Sequence, residues 1–221
     1  METALSVGSN SLFINGPCGQ IEATLTLPKS FNEAKNVAVV CHPHSLHGGS
    51  MTNKVVHTTA KAFSDCSIPT LRFNFRGVGQ SDGDYDEGNG EGDDLIACVN
   101  WMKERFPNCE LLLAGFSFGA FVSLKHAPRL TPKALISIAP PVARFDLDAC
   151  VKPNAPWLVV IGSEDELVAL PAVEDWLDRQ EGRSALRIMD GASHFFHGRL
   201  LDLRAVLLAF LSEKLEIACD E

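Results

Sequence analysis

The sequence has no run of Lys and Arg, no C-x-x-C pair, and no apolar stretch near the ~20 residues a membrane helix needs. The first absence, with a formal net charge of −9, excludes a nucleic-acid surface, which requires clustered cations. The third argues against a membrane-embedded protein. The opening residues, Met1-Glu2-Thr3-Ala4-Leu5-Ser6, lack a basic segment followed by an apolar one, so no secretory signal is read there. The seven cysteines (Cys18, Cys41, Cys66, Cys98, Cys109, Cys150, Cys219) are odd in number and scattered. Several fall in apolar segments, where a free Cys behaves as a small hydrophobe. Neither a disulfide framework nor a zinc site is expected, and a reducing cytoplasm fits this usage best.

What remains is an ordinary globular composition: 46% hydrophobic and 21% charged residues in a chain of 221. That length suits a single domain over residues 1–221 with a substantial core. No repeat, low-complexity tract or linker divides it. Ser11–Ile14 and Gln20–Leu27 alternate apolar and polar residues around Asn15-Gly16-Pro17 and read as an antiparallel hairpin. Asn36–His42, with Val37, Val39 and Val40, reads as a buried central strand. Further strands are expected over Pro69–Phe75, Cys109–Ala114, Lys133–Ala139, Trp157–Ile161 and Ala185–Met189. Helical periodicity marks Met51–Cys66, Asp93–Phe106, Ala120–Lys125, Pro171–Arg179 and Leu200–Leu215. Strands alternating with helices predict an α/β fold, a mostly parallel sheet covered on both faces. In such sheets chemistry sits beyond the carboxyl ends of the strands.

One strand–helix junction carries chemistry. Gly115-Phe116-Ser117-Phe118-Gly119 is a G-x-S-x-G between an apolar strand and a helix, the arrangement of a nucleophile elbow. Ser117 would sit in a strained backbone conformation, with small residues two before and two after it so that strand and helix can approach. The rival reading is a glycine-rich turn before a buried helix. A serine hydroxyl is a weak nucleophile; it needs an imidazole to take its proton and a carboxylate to fix that imidazole. Two later post-strand loops supply both. Gly162-Ser163-Glu164-Asp165-Glu166 offers Asp165, favoured over Glu164 and Glu166 because it lies clear of the strand end. Asp190–Gly198 offers His194, favoured over His197, which is expected to start the last helix. The order Ser, acid, His is that of an α/β-hydrolase.

An oxyanion needs two backbone donors. The Phe118 N–H, at a helix start, is one. The loop His42-Pro43-His44-Ser45-Leu46-His47-Gly48-Gly49 should give the other. Pro43 has no N–H, so His44 is the first choice and Ser45 the second. The three histidines also invite a metal reading, but no carboxylate or Cys accompanies them. The glycine- and acid-rich stretch from Arg76 to Asp94 invites two more. Gly77-Val78-Gly79 lacks the third glycine of a dinucleotide loop. Asp82, Asp84 and Asp86 have calcium-loop spacing, yet Glu87 stands where such a loop needs Gly. A mobile acidic loop near the site mouth fits better.

Taken together, four segments resemble a short bacterial branch of the α/β-hydrolase superfamily. They are Cys41-His42-Pro43-His44 with Gly48-Gly49-Ser50-Met51-Thr52-Asn53-Lys54-Val55-Val56; Phe75-Arg76-Gly77-Val78-Gly79-Gln80-Ser81; the elbow; and Ala192-Ser193-His194-Phe195-Phe196-His197-Gly198. The resemblance implies an eight-stranded sheet with only the second strand antiparallel and no cap domain, and a triad of Ser117, Asp165 and His194. Ser45 departs from the family's usual Pro. The expected activity is cleavage of small carboxylic esters through an acyl-enzyme, with no cofactor and no metal. The same triad could serve a thioester, a lactone or a small amide, and a binding protein could retain the fold without catalysis. The partner is then a small-molecule ester, neither nucleic acid nor membrane; composition does not distinguish a monomer from a dimer. Between Ala139 and Trp157 the chain is too short and proline-broken for a helical lid.

Overall fold

A computed structural model of the protein describes residues 5–150, 153–180 and 184–219. Eight strands form one sheet in the order β1-β2-β4-β3-β5-β6-β7-β8. They are β1 (Gly8–Gly16), β2 (Gly19–Leu27), β3 (Asn36–Cys41), β4 (Thr70–Phe73), β5 (Glu110–Phe116), β6 (Ala134–Ile138), β7 (Trp157–Gly162) and β8 (Ser184–Met189). Five helices connect them: α1 (Lys54–Asp65), α2 (Gly90–Arg105), α3 (Phe118–Leu130), α4 (Leu170–Arg179) and α5 (Leu200–Leu215). β2 runs antiparallel to both β1 and β4; every other pair is parallel. This is the α/β-hydrolase fold, and among the described residues no cap domain stands between β6 and β7.

Burial explains the layering. β3, β5, β6 and β7 are apolar nearly throughout and buried on both faces, as parallel strands under helices must be. β2 alternates buried and half-buried positions because it lies toward the sheet's edge. α1 packs beside α5, and α2 beside α3. α1 presents Val55, Val56, Thr59, Ala60 and Phe63 to the core, and its first turn is capped by Asn53, whose side chain accepts the Val55 N–H at 2.8 Å.

Several boundaries differ from expectation for identifiable reasons. The hairpin turn is Pro17-Cys18, not Asn15–Pro17: Asn15 pairs with Gln20 and Gly16 with Gly19, and Pro17, lacking an N–H, falls just outside the ladder. Beyond Phe73 the Asn74 N–H still reaches the Glu22 carbonyl of β2, but the Phe75 N–H turns to the His42 ring, and β4 ends. α2 begins at Gly90, three residues early. Carboxylates hold that turn: Asp86 accepts the Gly90 N–H, and Glu91 reaches back to the N–H groups of Asp86 and Gly88.

The cysteine expectation needs correcting. Cys66 and Cys219 form a disulfide across a sequence separation of 153. Cys66 caps the C-terminus of α1, and Cys219 follows α5; the packing of those helices brings together two residues whose spacing carries no signal. Cysteine usage therefore no longer argues for a reducing compartment. Among the described residues, no helix is long and apolar enough to cross a membrane.

Candidate active site

The sheet order reverses between β3 and β5: the chain leaves β3 through α1 to β4 on one side, then crosses through α2 to β5 on the other. A crevice opens beyond the carboxyl ends of the strands at such a reversal. Ser117 stands there, immediately after β5.

Ser117 has φ 52° and ψ −117°, a conformation that costs of order 1–3 kcal/mol for a non-glycine residue. Its surroundings enforce it. The Ser117 N–H donates to Ile138 O of β6 at 2.8 Å, and its carbonyl accepts the Ala120 N–H at 2.8 Å. A Cβ on Gly115 would lie 2.2 Å from Gly119 O, so a side chain there would push helix from strand. Gly119 serves a different contact from the one expected. A Cβ on it would lie 2.4 Å from Cys41 O and 2.6 Å from His42 O, at the end of β3. The elbow helix thus rests on the backbone that leads into the histidine loop.

His194 is brought to Ser117 by the turn after β8. Its Nε2 lies 3.2 Å from Ser117 Oγ and its Nδ1 2.8 Å from Asp165 Oδ2. An ionised carboxylate only accepts, so Nδ1 carries the proton and Nε2 is left to accept the serine hydroxyl. Both side chains are nearly inaccessible, at 2% and 0% exposure. The other Asp165 oxygen accepts the N–H groups of Leu167 and Val168 at 2.9 and 2.8 Å, so the carboxylate cannot rotate away. Phe116 packs against the His194 ring at 5.1 Å.

The rival acids and base have other places. Glu166 accepts the backbone N–H of His194 at 3.0 Å. That bond and its own N–H hold its carboxyl below the usual range. Glu166 thus ties the β7 loop to the β8 loop, a role that spacing alone did not reveal. Close backbone contact supplies a second tie: a Cβ on Gly162 would lie 2.1 Å from Ala192 O. Glu164 contributes its backbone, donating to Ala192 O. His197 is exposed in the turn before α5 and does not start that helix; its ring lies against Phe195.

The loop after β3 is organised by His42, which is wholly buried. Its Nε2 accepts the Phe75 N–H at 3.0 Å and its Nδ1–H donates to Pro43 O at 2.6 Å. Burial pushes this imidazole down to about 4, so it stays neutral. Among the described residues there is no cis peptide, and C=O and N–H point in opposite directions across a trans peptide. Pinning Pro43 O toward the His42 ring therefore aims the His44 N–H away from it. Gly49 leaves room for this bond, since a Cβ there would lie 2.2 Å from Pro43 O. The His44 ring sits 5.0 Å from that of Phe118. Phe118 opens α3, so its N–H has no intrahelical acceptor and stands at the positive end of the helix dipole. The Phe118 amide thus borders Ser117, and the His44 ring packs against that same residue. Ser45 is the first residue of a 3₁₀ turn, Ser45–His47. At such a position Pro is tolerated because no N–H is needed there, so replacing the family's Pro with Ser leaves the turn intact.

Of the acidic loop, Asp82 accepts the Gln20 N–H at 2.7 Å and Asp86 the Gly90 N–H at 2.9 Å. Their carboxylates are thus engaged by backbone. Asp94 forms a buried bidentate pair with Arg76.

Comparison with known proteins agrees with this architecture. Residues 34–152 match the family described as serine aminopeptidase, S33. An α/β serine hydrolase of Xanthomonas campestris, described as having no lid, superposes with a TM-score of 0.89 at 43% identity, covering 96% of this chain and 98% of that one. A serine hydrolase homologue from Coxiella burnetii superposes equally well, TM-score 0.89 at 43% identity, over 94% of this chain and all of its own. An uncharacterised protein of Rickettsia prowazekii is 34% identical over 195 residues, 84% of this chain and 81% of that protein.

Proposed function

The chain belongs to the α/β serine hydrolases of the family described as serine aminopeptidase, S33, and on that premise we propose that it cleaves small carboxylic esters through an acyl-enzyme. The observation that carries this reading is the hydrogen-bonded row Asp165–His194–Ser117. As Ser117 Oγ attacks the ester carbonyl carbon, its proton passes to His194 Nε2. Asp165 stabilises the imidazolium without taking its proton. The carbonyl oxygen becomes an oxyanion between the N–H groups of Phe118 and His44. Collapse expels the alcohol, which takes the proton from His194 and leaves the acyl group on Ser117. Water, deprotonated by the same imidazole, repeats the sequence and releases the acid. No step requires a cofactor.

The test is Ser117→Ala. The hydroxyl sits on a half-buried turn and fills no core space, so thermal stability should change little. With p-nitrophenyl acetate, kcat should drop on the order of 10⁴-fold or more, and labelling by a fluorophosphonate should disappear. Near-normal turnover by a contamination-free preparation would sink the assignment. A second reading, hydrolysis of an aminoacyl amide, is favoured by the family's own description. Comparing an aminoacyl p-nitroanilide with the matching p-nitrophenyl ester decides between the two.

A further inference from the structure

The acidic loop has one member that its calcium-like spacing does not explain. Tyr85, the chain's single tyrosine, projects from it onto the histidine loop. Its hydroxyl lies 3.2 Å from His44 Nε2, and the two rings stack at 4.9 Å. On the other side of the same imidazole, Nδ1 accepts the Leu46 N–H at 3.3 Å and caps the 3₁₀ turn. These two bonds fix the tautomer. A ring nitrogen that accepts an amide N–H carries no proton, so in the neutral ring the proton is on Nε2, donated to the tyrosine oxygen.

We propose that Tyr85 is a positioning residue for the reaction: it holds His44 in the tautomer whose Nδ1 closes the turn just beyond the His44 amide, and so steadies one oxyanion donor. The inference rests on the esterase reading above. The loop is built as a strap. Asp82 ties it to Gln20 on one side of Tyr85, and Glu91 accepts the N–H groups of Asp86 and Gly88 on the other. The Arg76–Asp94 pair anchors its base. Tyr85 is therefore presented by a fixed loop, in place of the mobile one expected from composition.

The charged groups around His44 act in one direction. Burial, His47 in the same turn and Arg144 from the segment after β6 all disfavour its protonation. Burial, Glu91 and Glu87 keep the Tyr85 hydroxyl protonated. Acid would break the arrangement, because a protonated His44 cannot accept the Leu46 N–H.

The experiment compares three variants with the wild type on p-nitrophenyl acetate, each checked for folding by thermal melting. Tyr85→Phe keeps the stack and removes only the hydroxyl; kcat should fall roughly three- to tenfold with KM within about twofold. His44→Asn replaces Nδ1 with an amide oxygen suited to the same cap, whereas His44→Phe keeps a ring without an acceptor. The Asn variant should retain at least about fivefold more kcat than the Phe variant. The pH profile separates this role from a merely structural one. Wild-type kcat/KM should fall more steeply at the acid end than one protonation allows, and His44→Asn should restore a single-protonation slope. Unchanged kcat in Tyr85→Phe, an unchanged acid slope in His44→Asn, or equal kcat in the two His44 variants, would overturn the proposal. If His44→Phe does not fold, Tyr85→Phe and the His44→Asn slope still decide it. Fluorophosphonate labelling of the wild type runs in parallel. Absent labelling defeats the esterase reading itself; labelling with indifferent variants defeats only the role of Tyr85.

Discussion

Adding one methyl group to the elbow, as Gly119→Ala, tests whether close backbone approach sets the oxyanion site. The new Cβ would lie 2.4 Å from Cys41 O, 2.6 Å from His42 O and 2.7 Å from the Cys41 carbonyl carbon. All three are backbone atoms, so no side chain can swing aside. Ordinary contact begins near 3.4 Å, which means α3 and the end of β3 must separate by about 1 Å. A misplacement of that size costs on the order of 10²-fold when reacting groups are held in place. The two amides concerned, Phe118 and His44, sit on opposite sides of the separation, so the loss should fall on kcat and leave KM within a few-fold. Overpacking should also lower stability by roughly 1–3 kcal/mol, and urea unfolding would measure this separately. The assay is steady-state hydrolysis of p-nitrophenyl acetate at a temperature where melting shows the variant folded. A folded Gly119→Ala enzyme with kcat within threefold of wild type would refute the reasoning. The approach of β3 to α3 would then not govern the oxyanion donors.

Three further outcomes follow from particular contacts. His194→Ala should lose nearly as much kcat as Ser117→Ala, while His197→Ala, exposed and away from Ser117, should lose less than ~10-fold; the reverse ranking would move the base. His42 is held neutral down to about 4, against 6.5 for a free imidazole. Between those values the unfolded chain binds the extra proton, so stability falls with falling pH, by about 2 kcal/mol from pH 7 to pH 5. His42→Asn should flatten that dependence in urea titrations at the two pH values, and an unchanged slope would show that this ring does not stay neutral. Esters with acyl chains of roughly two to six carbons should be preferred, because each further methylene gains ~0.8 kcal/mol only where a wall receives it. A kcat/KM rising through twelve and sixteen carbons would reveal an apolar channel.

The parts of the site that were legible in the sequence are those whose chemistry is confined to a short segment. The G-x-S-x-G turn, the acid after one strand and the histidine after the next each sit where a single loop must present them, and the structure brings Ser117, Asp165 and His194 into one row. Strand and helix positions followed from periodicity to within a few residues. What could not be read depends on contacts between distant segments. Glu166 looked like a rival acid because nothing local says that it reaches the His194 backbone. Tyr85 looked like part of a mobile loop because the carboxylates that fasten that loop bond to backbone amides, which leave no pattern in side-chain spacing. The Cys66–Cys219 pair was invisible for the same reason.

On the proposed reading the site consists of two halves that are fastened separately. The acid–base half comes from the loops after β7 and β8. Glu166, the Ser163 hydroxyl bonded to the Asp190 carboxylate and the Gly191 N–H, and the close passage of Gly162 past Ala192 all bind those loops to each other. The oxyanion half comes from the loop after β3, held by His42 to Phe75, by Gly119 to the elbow helix and by His44 to Tyr85. Ser117 is the point where they meet, and its strained backbone is held by β6 from a third direction. Among the described residues no cap covers the strand ends, and the fastening is done within the loops, by carboxylates, a neutral histidine and glycines that admit backbone against backbone. On the proposed reading those residues, although outside the reacting row, hold the imidazole and the two amides in place for an ester.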